Sequence, residues 1–128
     1  MTAFNYQINQ LPEEPIRYEI KIEYINYLKS IISNPVIGTM ATGDSVISMQ
    51  NIESFPFLAN KDIAGFDMEA MAMAQVCQHC NVDFFCVKLV SDNLSFDANS
   101  RGQYDNNFKT LSKKIEDISL KILEYYSN

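Results

Sequence analysis

Basic charge is in short supply in this sequence. Ten lysines and arginines face sixteen aspartates and glutamates, for a net charge of −6. An acidic chain is not drawn to nucleic acid or to an anionic membrane surface, which excludes both as principal partners. A small neutral or zwitterionic ligand, or another protein, fits better. Long apolar runs are missing as well: none approaches the roughly 20 residues that span a bilayer. The opening Met-Thr-Ala-Phe-Asn-Tyr has no basic region leading into an apolar stretch, so no signal peptide is expected. Cysteine is scarce and odd in number, three in all, which suggests reduced thiols in the cytoplasm rather than a disulfide framework.

What the sequence does contain is the material of an ordinary folded domain. Its 128 residues are 47% apolar and 20% charged, with no low-complexity tract, enough to bury a modest single core. Pro12 and Pro15 flank Glu13 and Glu14 in what reads as a loop. Arg17 to Ile22 alternates, with Tyr18, Ile20 and Ile22 on one side, and predicts a short strand. Ile25, Leu28 and Ile32 then fall three and four apart, predicting a helix to about Ser33, ended by Asn34-Pro35.

Val36 to Met40 is a short apolar run, followed by a turn through Gly43 and a brief continuation at Val46-Ile47-Ser48. Residues 51 to 60 are weakly patterned and predict a turn or short helix. Ile63 to Phe66 predicts a strand leading into Asp67-Met68-Glu69, and Ala70 to Gln78 is rich in helix-forming alanine and methionine. Phe84 to Val90 is nearly continuous in apolar residues, as in a strand covered on both faces, and stops at Ser91-Asp92. Residues 93 to 103 read as a loop. Phe108, Leu111, Ile115, Ile118, Ile122 and Tyr125 then mark a long amphipathic helix.

This alternation predicts an α/β protein with a largely parallel sheet, whose chemistry belongs at the carboxyl ends of the strands. Asp44, Asp67, Glu69 and Asp92 each stand just past a predicted strand. Taken singly, each acid has an ordinary structural role. Asp67 and Glu69 read as an N-cap and a first-turn acid, each stabilising a helix start by roughly 1 kcal/mol or less. Asp92 reads as a turn former, and Asp44 as the residue that fixes the turn after Gly43. Cys77, His79, Cys80 and Cys86 are candidate zinc ligands by type. On a helix, however, positions 77, 79 and 80 do not converge, and no metal is expected. The Cys77-x-x-Cys80 pair lies toward a helix C-terminus, where the dipole disfavours a thiolate and so a redox role.

Taken together, the motifs resemble a known family. Thr2-Ala-Phe-Asn-Tyr with Gln10-Leu-Pro, Thr42-Gly-Asp-Ser-Val-Ile47, Asp67-Met-Glu69 before a small-residue helix, Ala74-Gln-Val-Cys77 and Val90-Ser-Asp92 occur here in one order. Their order and intervals resemble the second half of methylthioadenosine/S-adenosylhomocysteine nucleosidases, within the purine and uridine nucleoside phosphorylase superfamily. The resemblance runs from Thr2 through the final helix. It implies a three-layer α/β/α fold with a largely parallel sheet, phosphorylase/hydrolase-like, of which residues 1–128 form the incomplete C-terminal half.

The resemblance also implies roles. Asp92 is the acid that protonates the purine N7, improving the leaving group as the N-glycosidic bond breaks. Glu69 accepts hydrogen bonds from the ribose hydroxyls, and Met68 packs on the sugar. The backbone of Ile47 reads the adenine edge, Val46 lines the base pocket, Ser91 adjoins the acid, and Tyr104 is the aromatic candidate after it. Lys88, where the family also carries a basic residue, is expected to pair with Asp44 or Glu69. No cofactor is implied. Three departures stand out: the family's first half, with its glycine-rich stretch and water-activating glutamate; Val46, where the family has an aromatic; and the loop after Asp92, which lacks a second aspartate.

The implied reaction is hydrolysis of methylthioadenosine or S-adenosylhomocysteine to adenine and a thio-ribose. A purine nucleoside phosphorylase is the alternative enzyme. The alternative outside that class is a non-catalytic, truncated or partner-dependent subunit. Half a parallel sheet leaves an open edge and apolar surface, so self-association or a second chain supplying the missing half is expected.

Overall fold

The computed structural model describes residues 10–55, 62–93 and 100–127, the side chains of 100, 101 and 103–106 excepted. The motif Thr2–Tyr6 therefore lies outside the described residues. The first helix, α1 (Ile22–Ile31), carries Glu23 in its first turn and Lys29 in its last, both favourable to the helix dipole. Leu28 is its buried residue. The helix stops at Ile31, short of the Ser33 expected, where Ile32 turns extended; Asn34 then takes a left-handed φ of 53° and Pro35 follows.

Strand β1 (Thr39–Thr42) pairs in parallel with β2 (Ile63–Asp67), in the register Met40 to Gly65, Ala41 to Phe66 and Thr42 to Asp67. A local irregularity falls between Thr39 and Met40. The strands converge at their starts because position 38 is glycine: a Cβ there would stand 2.5 Å from the Cβ of Ala64. A short 3₁₀ turn, Ile52–Ser54, lies on the connection between them. Helix α2 (Ala70–His79) follows β2 and packs back against β1, burying Ala70 and Ala74. Along β2, half-buried Ile63, Gly65 and Asp67 alternate with exposed Ala64 and Phe66, so one face of the sheet is covered and the other is bare.

Helix α2 ends in a Schellman motif. Val82 N–H donates to the Cys77 carbonyl at 2.8 Å and Asn81 N–H to that of Gln78 at 3.0 Å, with Asn81 left-handed at φ 56°. Asn81→Ala is expected to lower the unfolding free energy by about 1 kcal/mol, because alanine lacks the short polar side chain whose local hydrogen bonding lets asparagine tolerate the left-handed region. Asn81→Gly should leave stability unchanged or higher. Urea unfolding checks both, and equal midpoints for Asn81→Ala and the parent chain would contradict the assignment.

The last element, α3 (Ser100–Ser127), is the long amphipathic helix that the periodicity predicts, begun earlier than expected inside the loop predicted over 93–103. Its C-terminal end stacks on α1: Tyr27 and Tyr125 ring centres lie 4.0 Å apart, and Tyr24, Phe85 and Tyr126 join the cluster. Such ring pairs contribute about 0.5–1.5 kcal/mol each beyond burial. Tyr27 Oη also donates to the Lys121 carbonyl at 2.9 Å. Asp83 ties the same corner, accepting from Lys21 Nζ and Tyr24 Oη, each at 2.6 Å.

The architecture is α/β with a parallel sheet, as expected, but three predicted strands do not form among the described residues. Arg17–Ile22 forms no strand, and Ile22 opens α1. Val46–Ser48 is a loop held by Asn51, and the Phe84–Val90 run joins no ladder. A strand-compatible run becomes a strand only where a second backbone pairs with it about 4.8 Å away, and among the described residues only β1 and β2 pair. The consequence is a small core. Among the described residues only Leu28, Ala70 and Ala74 are buried, while Val36, Val46 and Val90 are largely exposed. Among those residues, no helix is long and apolar enough to cross a membrane.

Candidate active site

The carboxyl ends of β1 and β2 meet the start of α2 in a network centred on Asp67. The parallel register sets Thr42 beside Asp67, and Thr42 Oγ1 donates to Asp67 Oδ1 at 2.5 Å. The same hydroxyl accepts from the Met71 N–H at 3.2 Å. Asp67 Oδ2 accepts from the Ala70 N–H at 3.2 Å, so it covers the start of α2 from two residues before the N-cap position, which Glu69 occupies in place of the expected first turn. Lys88, reaching in from the segment after α2, completes the set with Nζ 2.7 Å from Asp67 Oδ2 and 3.5 Å from Glu69 Oε2.

This pairing meets the expected one in part. The resemblance pairs Lys88 with Asp44 or Glu69; in the structure Asp67 is its nearer partner, Glu69 its second, and Asp44 takes no part. The reason is burial. The Asp67 side chain is 6% exposed and the Glu69 side chain 66%, so the desolvated carboxylate has the greater need of a counter-charge. Burial pushes the Asp67 carboxyl up. The Lys88 and Thr42 hydrogen bonds, the Lys88 charge and the Ala70 N–H outweigh that and hold it below the ordinary aspartate value. For Lys88, burial lowers the ammonium pKa, but Asp67, the nearby Cys86 and Glu69 leave it raised. Burial also raises the Cys86 thiol, against the Lys88 charge.

Beside this network lies a cleft lined by Gly43, Asp44, Ser45, Ile47, Phe66 and Asp67, among others. Its volume is about 60 Å³, room for a few water molecules rather than a nucleoside. Asp44 lines it and makes no hydrogen bond among the described residues; the Gly43 N–H, donating to the Asp67 carbonyl at 3.0 Å, ties the turn to β2 instead.

The expected site residues separate into three groups. Ile47 lines the cleft, whereas Val46 is 74% exposed with its carbonyl held by Asn51 Nδ2 at 2.8 Å. Met68 and Glu69 are exposed at the rim of the Asp67 network. Ser91 and Asp92 form a unit of their own: Ser91 Oγ donates to Asp92 Oδ1 at 2.6 Å, and Asn107 Nδ2 from α3 donates to the Ser91 carbonyl at 3.1 Å. Among the described residues no hydrogen bond or ion pair joins Asp92 to Met68 or Glu69. The side chain of Tyr104 lies outside the described residues. Also among those residues, no three His, Cys, Asp or Glu groups are placed to hold a metal ion.

Sequence reasoning singles out neither Thr42 nor Asn107 as a site residue. Thr42 is legible as the strand-end hydroxyl of Thr-Gly-Asp; Asn107 carries no local signal, because its partner lies across the fold.

A parallel α/β unit with acids gathered past its strand ends matches the sequence profile described as the phosphorylase superfamily over residues 17–124. This chain belongs to the phosphorylase superfamily. Its relatives include proteins named 5′-methylthioadenosine/S-adenosylhomocysteine nucleosidase. That of Staphylococcus carnosus (strain TM300) is 28% identical over 127 residues, 96% of this chain and 55% of the relative. That of Geobacillus sp. (strain WCH70) is 31% identical over 130 residues, 96% and 54% respectively. That of Shewanella frigidimarina (strain NCIMB 400) is 32% identical over 108 residues, 77% and 45%. The chain thus spans about half the length of the curated relatives it matches. No solved structure matches it.

Proposed function

We propose that this chain forms the purine-side part of a nucleosidase that hydrolyses the N-glycosidic bond of 5′-methylthioadenosine or S-adenosylhomocysteine in the cytoplasm. The observation that carries this reading is the match over 96% of the chain to proteins named for that activity. In the reaction, the C1′–N9 bond breaks and its electron pair passes to the purine, while Asp92 gives its proton to N7. Glu69 holds the ribose hydroxyls with Met68 against the sugar. Ile47 and Val46 face the adenine, and Ser91 and Tyr104 complete the purine end. Water adds to C1′ and loses its proton to the carboxylate that the resemblance places in the family's first half.

The Lys88–Asp67–Glu69 arrangement supports this reading. Glu69 is largely exposed where a diol would approach, and Lys88 Nζ lies 3.5 Å from its Oε2. Asp67 meanwhile holds the start of the same helix.

A second reading, favoured by the 60 Å³ cleft and the bare sheet face, is that the site is completed by another chain, either a second copy or one carrying the remaining part of the domain. The test is adenine release from methylthioadenosine over a range of chain concentrations. Specific activity that rises with concentration supports completion by a second copy. Release that appears only on adding a polypeptide with the rest of the domain supports a separate partner. No release under either condition would refute the nucleosidase reading.

A further inference from the structure

Helix α3 links two distant parts of the chain. Its C-terminal part is fixed to α1 by the Tyr27–Tyr125 stack, by the Tyr27 hydroxyl on the Lys121 carbonyl and by Lys121 Nζ on the Ile31 carbonyl at 3.4 Å. From Lys121 back to Asn107 the helix spans roughly 20 Å, at about 1.5 Å per residue. At that far end Asn107 Nδ2 reaches the carbonyl of Ser91. The helix is therefore a strut, with one end braced on α1 and Asn107 near the other end holding the peptide group after Ser91.

That peptide group joins Ser91 to Asp92. A hydrogen bond to its oxygen restrains the plane of the peptide from which the Asp92 Cα departs. Ser91 then makes a second restraint with its own hydroxyl, donating to Asp92 Oδ1 at 2.6 Å. The bond uses Oδ1 as an acceptor, the part that the carbonyl oxygen of a protonated carboxyl group plays best. The two bonds together fix the backbone and the carboxyl rotor, and they leave Oδ2 as the oxygen able to donate.

We infer that Asn107 is a positioning residue for Asp92, acting through the Ser91 carbonyl to present the Oδ2 edge of the carboxyl group to its ligand. The reactive role of Asp92 rests on the function proposed above; the positional coupling does not. Misplacing an acid by about 1 Å is enough to cost up to about 10²-fold in rate. Asn107 is exposed on the first turns of a long helix, so its replacement leaves the packed face of α3 intact.

Two readouts on the full chain test the coupling. In the adenine-releasing state, Asn107→Ala should lower kcat for methylthioadenosine about tenfold with KM changed less than twofold. Asn107→Gln, which keeps the donor, should recover part of the loss. An unchanged kcat, or a parallel rise in KM, would overturn the inference. The second readout needs no activity: in ¹H–¹⁵N spectra, Asn107→Ala should shift the Asp92 amide resonance while those of Tyr24 to Leu28 stay in place. An unmoved Asp92 amide would overturn the inference even in an active enzyme. A shifted Asp92 amide in a chain that never releases adenine would sustain the coupling and count against the nucleosidase reading alone.

Discussion

Asp92→Asn is expected to reduce adenine release from methylthioadenosine by about 10²–10⁴-fold, the usual range for removing a positioned general acid. Asparagine is close to isosteric and can still accept the Ser91 hydroxyl bond through its amide oxygen, so the local geometry of Ser91 and Asn107 survives. What it cannot do is give up a proton to the departing purine. The loss should therefore fall on kcat, with substrate affinity little altered and an unfolding midpoint near that of the parent chain. Steady-state kinetics and urea unfolding on the same preparations separate the two effects. Full activity in the Asp92→Asn variant would remove Asp92 as the acid and leave it as a turn residue.

Asp67→Ala is expected to be the most damaging single change to stability, at about 2–3 kcal/mol. Three contacts go at once: the acceptor for Thr42, the cap on the Ala70 N–H, and the nearer counter-charge of Lys88. The cap alone is worth about 1 kcal/mol. The ion pair adds less than a fully buried one would, because the Lys88 side chain is 33% exposed and water screens it. In a chain with so few buried residues, a loss of that size is a large share of the usual total of about 5–15 kcal/mol.

The pH dependence follows from the same network. The folded Asp67 carboxyl lies below its unfolded value of about 3.9. Its contribution is therefore fully present above that unfolded value and is lost as the pH falls through the lowered folded one. Lys88 has the opposite sign. Its pKa is raised in the fold, so its contribution holds below the unfolded lysine value and fades as the pH rises through the folded one. Unfolding free energies measured from neutral pH into the acid range should decline in the parent chain and decline less in Asp67→Ala. Parallel curves would show that Asp67 is not the residue responsible.

Much of the local structure is legible in the sequence because it depends on near neighbours. The three- and four-residue spacing of Ile25, Leu28 and Ile32 and of Leu111, Ile115 and Ile118 marks α1 and α3, and Ala70–Gln78 marks α2 within a residue of its end. Asp67 at the start of α2 is equally readable, since its partner is the N–H three residues on. The strands are harder. Ile63–Phe66 is placed correctly, but Phe84–Val90 has the composition of a buried strand and joins no ladder among the described residues.

By itself the sequence determined where the helices run, where the chain turns at Asn34-Pro35 and Gly43, and that the chain belongs to the phosphorylase superfamily. Periodicity, φ preference and capping act over a few residues, so they are written along the chain. Tertiary structure alone decided that Lys88 serves Asp67 before Glu69, that the sheet has a bare face, and that Asn107 holds the peptide before Asp92. Each of these depends on which groups burial brings within about 3 Å across the fold, and on which charge has lost its water.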